Sequence, residues 1–125
     1  MLLPILAICM GASVGALARW GLALWFGAGG FMPWGTLAAN LIGGYLIGAA
    51  IASFHLLPDL DPAWRLALVT GFLGGLTTFS SFSAEVVTML LEGRLGVALL
   101  TATAHLGGSL FLTWLGIRSV QALAA

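Results

Sequence analysis

Residues 20–58 read WGLALWFGAGGFMPWGTLAANLIGGYLIGAAIASFHLLP, 39 positions without a charged side chain. One helix crosses the bilayer core in roughly 20 residues, so this run is too long for one crossing and must turn inside itself. The cluster Gly27-Ala28-Gly29-Gly30, followed by Pro33-Trp34-Gly35, supplies the turn. Outward from this stretch, the charges at Arg19, Asp59, Asp61, Arg65, Glu85, Glu92, Arg94 and Arg118 leave further uncharged runs of 18, 19 and 23 residues. Four transmembrane helices are predicted, at about Leu3 to Phe26, Thr36 to Leu57, Ala63 to Leu91 and Leu95 to Val120. Asp61-Pro62 marks the third start, because Asp caps free amides and Pro at the first helical position loses no hydrogen bond. Glu92-Gly93-Arg94 is a tight turn between the third and fourth helices.

Composition points to the same solvent. Of 125 residues, 6% are charged and 61% hydrophobic, and mean hydropathy is +1.13. A water-soluble surface cannot be built from so few charges. The expected class is an all-α integral membrane protein forming one domain, residues 1–125, with the lipid bilayer as its partner. Four Arg and a net charge of zero exclude the electrostatic footprint of nucleic-acid binding. The single cysteine, Cys9, excludes an internal disulfide and any multi-cysteine metal site. Met1 to Trp25 lacks a basic leading segment and reads as a mature span rather than a cleaved signal peptide. With four crossings, Trp20, Trp25 and Trp34 fall toward one membrane face and Trp64 and Trp114 toward the other, as an aromatic belt requires.

Orientation follows from asymmetric basic residues, yet Arg65 and Arg118 on one face balance Arg19 and Arg94 on the other. Such balance permits insertion in both directions and an antiparallel, dual-topology homodimer closed by a two-fold axis. The other outcome is a fixed orientation set by the N-terminal amine or by other proteins. Small-xxx-small spacings at Gly11/Gly15 and Gly44/Gly48 allow close helix contact, within the chain or between copies.

The third span carries residues that a lipid-facing helix does not need: Gly71 to Ser83 read GFLGGLTTFSSFS. Gly74-Gly75 weakens helical hydrogen bonding where water cannot replace it, so a break is expected there, with carbonyls turned to protein or a ligand. The alternative is a close-packing notch in an unbroken helix. Paired across a two-fold axis, such carbonyls suit a small cation. Thr78, Ser81, Glu85 and Thr88 share one side of the following helix; Thr101, His105, Ser109 and Thr113 form a second stripe, and Thr36, Asn40 and Gly44 a third. Single hydroxyls in membrane helices often bond only the carbonyl four residues back, but Asn40 and His105 are costlier to bury. Phe79 and Phe82 add ring edges, which are electropositive and can face an anion without a formal charge. Weak donors in series suit conduction of an anion, with Arg19 at one mouth raising its local concentration. Snorkelling to the interface is the plainer role for that arginine.

These residues resemble the bacterial fluoride channel family known as Fluc or CrcB. The resemblance rests on GASVGALARW at residues 11–20, Gly35-Thr36 with Asn40-Leu41, and the 71–83 motif. It implies fluoride as the transported ion, an inverted second copy of the chain, two fluoride pathways per dimer and residence in the bacterial cell (inner) membrane. It also implies a structural sodium held by the main-chain carbonyls of Gly74 and Thr77. The phenylalanine pair falls on Phe79 and Phe82, the pathway amide on Asn40, and the polar track on Thr101, His105 and Ser109. Thr78, Ser81 and Glu85 belong to the third-span part of the pathway, and Arg19 to its vestibule. Ser81 stands where the family commonly has Thr, and Thr101 and His105 where some relatives have Tyr and Ser.

Two other readings compete. Small multidrug exporters also have four short helices, but resemble one another in a buried carboxylate on the first helix, where this chain has Arg19 and no acid. A non-transporting assembly subunit would use the glycine faces to bind partner helices. An enzyme is not expected, since no nucleophile motif surrounds Ser109.

Overall fold

The computed structural model describes residues 1–125 except Ala28. The chain is all-helical, and four stretches are long and apolar enough to cross a membrane: Leu2–Phe26, Trp34–Leu56, Pro62–Leu91 and Leu95–Ala124. The protein is therefore a multi-pass membrane protein. We call the helices α1 (Leu2–Phe26), α2 (Trp34–Leu56), α3 (Pro62–Arg65), α4 (Gly74–Leu76), α5 (Phe79–Leu91) and α6 (Leu95–Ala124). The third span is composite: α3 passes into a π-helical stretch, Leu66–Leu73, then α4, and α5 follows.

The ends follow local chemistry. Asp61 Oδ1 accepts from the Ala63 N–H at 2.9 Å, and Pro62 takes the first helical position. After α5, Gly93 adopts φ 75° and the Arg94 N–H bonds the Met89 carbonyl at 2.9 Å, which turns the chain at once into α6. α1 stops at Gly27, whose φ is 71°. Ala28, part of the expected glycine turn, lies outside the described residues.

Two expectations need correction, and one helix end shifts by a few residues. Trp34 and Gly35 belong to α2 rather than to the turn: Pro33 is extended and enters the helix directly, while Gly35 lets α2 approach α1 at Ala23. α6 continues past Val120 to Ala124 because Gln121 to Ala124 includes strong helix formers and no breaker. Gly74 and Gly75 are helical, Gly74 with φ −63° and ψ −35°. The residues off helical geometry are Thr77 (φ −85°, ψ 156°) and Thr78 (φ −151°, ψ 121°).

Glycine explains the packing of the first and third spans. A Cβ on Gly15 would collide with the Phe72 carbonyl and sit 2.8 Å from the Leu76 nitrogen; one on Gly75 would lie 2.6 Å from the Ala12 carbonyl. Backbone meets backbone along this seam, so Gly11/Gly15 serve contact within the chain, and Gly44/Gly48 do the same against α6 at Ser109 and Thr113. The cores are correspondingly small, Met32, Leu37, Met89 and Ala98 in one cluster and Ala39, Leu73 and Leu76 in another. Most large apolar side chains point outward, as a chain dissolved in lipid requires.

Candidate functional site

The stripe on α2 organises the site, its members meeting the third span, both the third and the fourth, and the fourth in turn. Thr36 Oγ1 donates to Glu85 Oε2 on α5 at 2.6 Å. One turn on, Asn40 reaches Thr78 and His105. A turn later the Gly44 carbonyl accepts from Thr113 Oγ1 of α6 at 2.9 Å. In hydrocarbon each of these groups would cost several kcal/mol unpaired, so the polar contacts fix how α2, α5 and α6 sit together.

Thr77 and Thr78 divert two helical amides. In a continuous helix the Thr78 N–H would bond the Gly74 carbonyl; it bonds Asn40 Oδ1 instead, at 2.8 Å. The Ser81 N–H would bond the Thr77 carbonyl; Thr78 Oγ1 takes it at 3.1 Å, as an N-cap. Gly74 and Thr77 are thus two of the four residues, Gly74 to Thr77, whose carbonyls lose helical donors at the interruption. The neighbouring Gly75 carbonyl accepts from Arg19 Nε at 3.1 Å. Neutral carbonyl oxygens deprived of amides are the donor type a hard cation takes. Among the described residues no group of three or more His, Cys, Asp or Glu side chains could hold a metal.

Gly74, Thr77 and Thr78 line a cavity of about 500 Å³ together with Asn40, Phe79, Phe82, His105 and Ser109. Phe79 and Phe82 meet edge-on, their centroids 5.6 Å apart at 69°. Phe82 also lies 4.4 Å from the His105 ring at 32°. His105 is 4% exposed, and its Nε2 has no partner among the described residues. Phe79, 78% exposed, is the outward member of the pair.

Other expected residues stand apart from this wall. Glu85 lines a second cavity of about 490 Å³, with Thr88, Glu92 and Arg94, and its Oε1 is buried without a partner among the described residues. Thr101, 1% exposed, turns its hydroxyl to Met89 Sδ at 3.5 Å and joins α6 to α5 rather than to the His105 wall. Ser81 contributes its backbone amide to the Thr78 cap. Arg19 gives its Nε–H to the third-span backbone, where the Gly75 carbonyl needs a donor. Thr36 and Met89 carry contacts that the stripe reading under-weighted. Thr36 was visible one turn before Asn40, but nothing local marks Met89.

Four apolar spans, with a file of hydrogen-bonding side chains gathered at an interruption of the third, define a multi-pass helical membrane protein with a partly buried polar wall. The chain belongs to the CrcB family: the model described as "CrcB-like protein, Camphor Resistance (CrcB)" matches residues 6–117. It is 96% identical over 125 residues, all of both chains, to "Fluoride-specific ion channel FluC" of Variovorax paradoxus (strain S110). A protein of the same name from Paracidovorax citrulli (strain AAC00-1) is 66% identical over 119 residues, 95% of this chain and 94% of its own. A third, from Albidiferax ferrireducens (strain ATCC BAA-621 / DSM 15236 / T118), is 62% identical over 125 residues, 100% and 96% of the two chains.

Proposed function

We propose that this chain is a fluoride-selective channel that lets fluoride leave the cell passively, lowering its cytoplasmic concentration. The observation that carries this reading is the cavity wall in which Phe79, Phe82, His105, Thr78 and Ser109 meet without a formal positive charge among them. Full-length identity to proteins named as fluoride-specific channels supports it. Fluoride entering a membrane must replace its water, and a full charge would hold it too long for rapid passage. Ring edges and hydroxyls supply many small gains instead. Ser81, Thr101 and Glu85 extend the route beyond the wall, and Arg19 holds the adjoining backbone.

The channel acts as an inverted homodimer in the bacterial inner membrane, a reading supported by the balanced arginines. Sodium is its structural ion, held by the carbonyls of Gly74 and Thr77 and supplying fixed positive charge between the two copies. The activity is passive passage and needs no catalytic group. In cells made fluoride-sensitive by loss of their own exporter, the chain should restore growth in fluoride, and Phe82→Ile should restore far less at equal expression. Equal rescue by both would remove the ring from the pathway; no rescue by the expressed, membrane-inserted wild type would remove the function.

A further inference from the structure

The hydrogen bonds of Asn40 assign it a different task from touching the transported ion. The Thr78 N–H can only donate, so the Asn40 atom facing it at 2.8 Å must be Oδ1. That fixes the orientation of the amide. Its Nδ2 then donates one hydrogen to the Thr78 carbonyl at 3.0 Å. The other hydrogen goes to His105 Nδ1 at 2.9 Å, which must therefore accept. A neutral imidazole accepting at Nδ1 carries its proton on Nε2, the buried atom without a partner among the described residues.

We propose that Asn40 is a positioning residue: its amide clamps both backbone groups of Thr78, holds the Thr77-Thr78 pair extended and sets the His105 tautomer. Both amide hydrogens are committed to protein, so neither is free for an anion. The consequences run to two places. Taking the Thr78 N–H leaves the Gly74 carbonyl without its helical donor, one of the oxygens assigned above to sodium. Fixing His105 Nδ1 as acceptor leaves Nε2–H as the imidazole's one donor, on a ring that lies 4.4 Å from the Phe82 ring. The clamp rests on the fluoride reading only for what that wall serves.

The test is solution NMR of the full chain in detergent micelles, using ¹³Cα and ¹³Cβ shifts of Thr77 and Thr78 and ¹⁵N shifts of the His105 ring. The wild type should give extended shifts at both threonines and a single neutral tautomer protonated at Nε2. Asn40→Leu should move the threonine shifts toward helical values and release the tautomer. Asn40→Asp keeps an acceptor for the Thr78 N–H but lacks the amide donors, so it should preserve the extended shifts and release the tautomer alone. A wild-type proton on Nδ1 would overturn the proposal without any variant. So would extended shifts unchanged in Asn40→Leu, above all if its fluoride flux falls, because Asn40 would then act on the ion itself. The NMR shifts themselves are recorded without fluoride, so their failure and a failure of the fluoride reading are separate results.

Discussion

The first span meets the third chiefly through glycine, whereas the second adds side-chain hydrogen bonds to the third and fourth beside its own glycine contacts at Gly44 and Gly48. Along the first seam Gly11, Gly15, Gly71 and Gly75 bring backbones together with no room for a Cβ. Along the second, Thr36, Asn40 and Gly44 each engage a polar group on a different turn. Both seams use small or polar residues in a chain that is 61% hydrophobic, but they respond differently to change. The glycine seam sets distance and allows almost no substitution. The polar seam sets the chemistry of the wall and can lose a hydrogen bond while the spans stay docked.

The largest effect should come from filling the glycine seam. Gly15→Val drives a branched side chain into the Phe72 carbonyl and Leu76 amide, and overpacking of this kind costs about 3 kcal/mol. Purified protein should show a lowered unfolding temperature and a loss of monodisperse material on size exclusion; wild-type behaviour would mean that the seam yields. Next comes Thr36→Val, which removes the hydroxyl that donates to Glu85 Oε2 and should cost about 2 kcal/mol. Thermal unfolding in detergent measures it, and an unchanged midpoint would show that Glu85 finds another partner.

Phe82→Ile separates chemistry from packing. It removes the ring against Phe79 and His105 but keeps apolar bulk, so flux should fall at least about tenfold while size-exclusion behaviour is unchanged. Unaltered flux would reduce the ring to filler. The smallest effect belongs to Ser13→Ala, whose hydroxyl only bonds the Cys9 carbonyl on its own helix. Its stability change should stay within about 0.5 kcal/mol. A larger loss would mean that outward hydroxyls also hold the spans together.

The contrast between seams also explains what could be read before any coordinates. Span number, the Asp61-Pro62 cap and the Gly93 turn depend on runs of charge and on residues adjacent in the chain, and these were legible. The stripe Thr36-Asn40-Gly44 was legible as a stripe because helical spacing alone aligns it. Its partners were not, since Asn40 and Thr78 are 38 residues apart. The position of the interruption was misread for the same reason. Gly74-Gly75 looked weakest by propensity, yet Gly75 is packed on α1, while an asparagine on another span diverts the Thr78 amide. Arg19 to Gly75 and Thr101 to Met89 are likewise tertiary pairings without a local signature. The π-helical stretch, Leu66–Leu73, runs alongside α1 and had no signal in periodicity.

The account stands or falls on anion efflux from liposomes that contain this protein alone, followed with fluoride-selective and chloride-selective electrodes. It predicts rapid fluoride release once the membrane potential is shunted, with chloride retained in the same vesicles. Equal release of the two ions, or retention of both by correctly inserted protein, would contradict it.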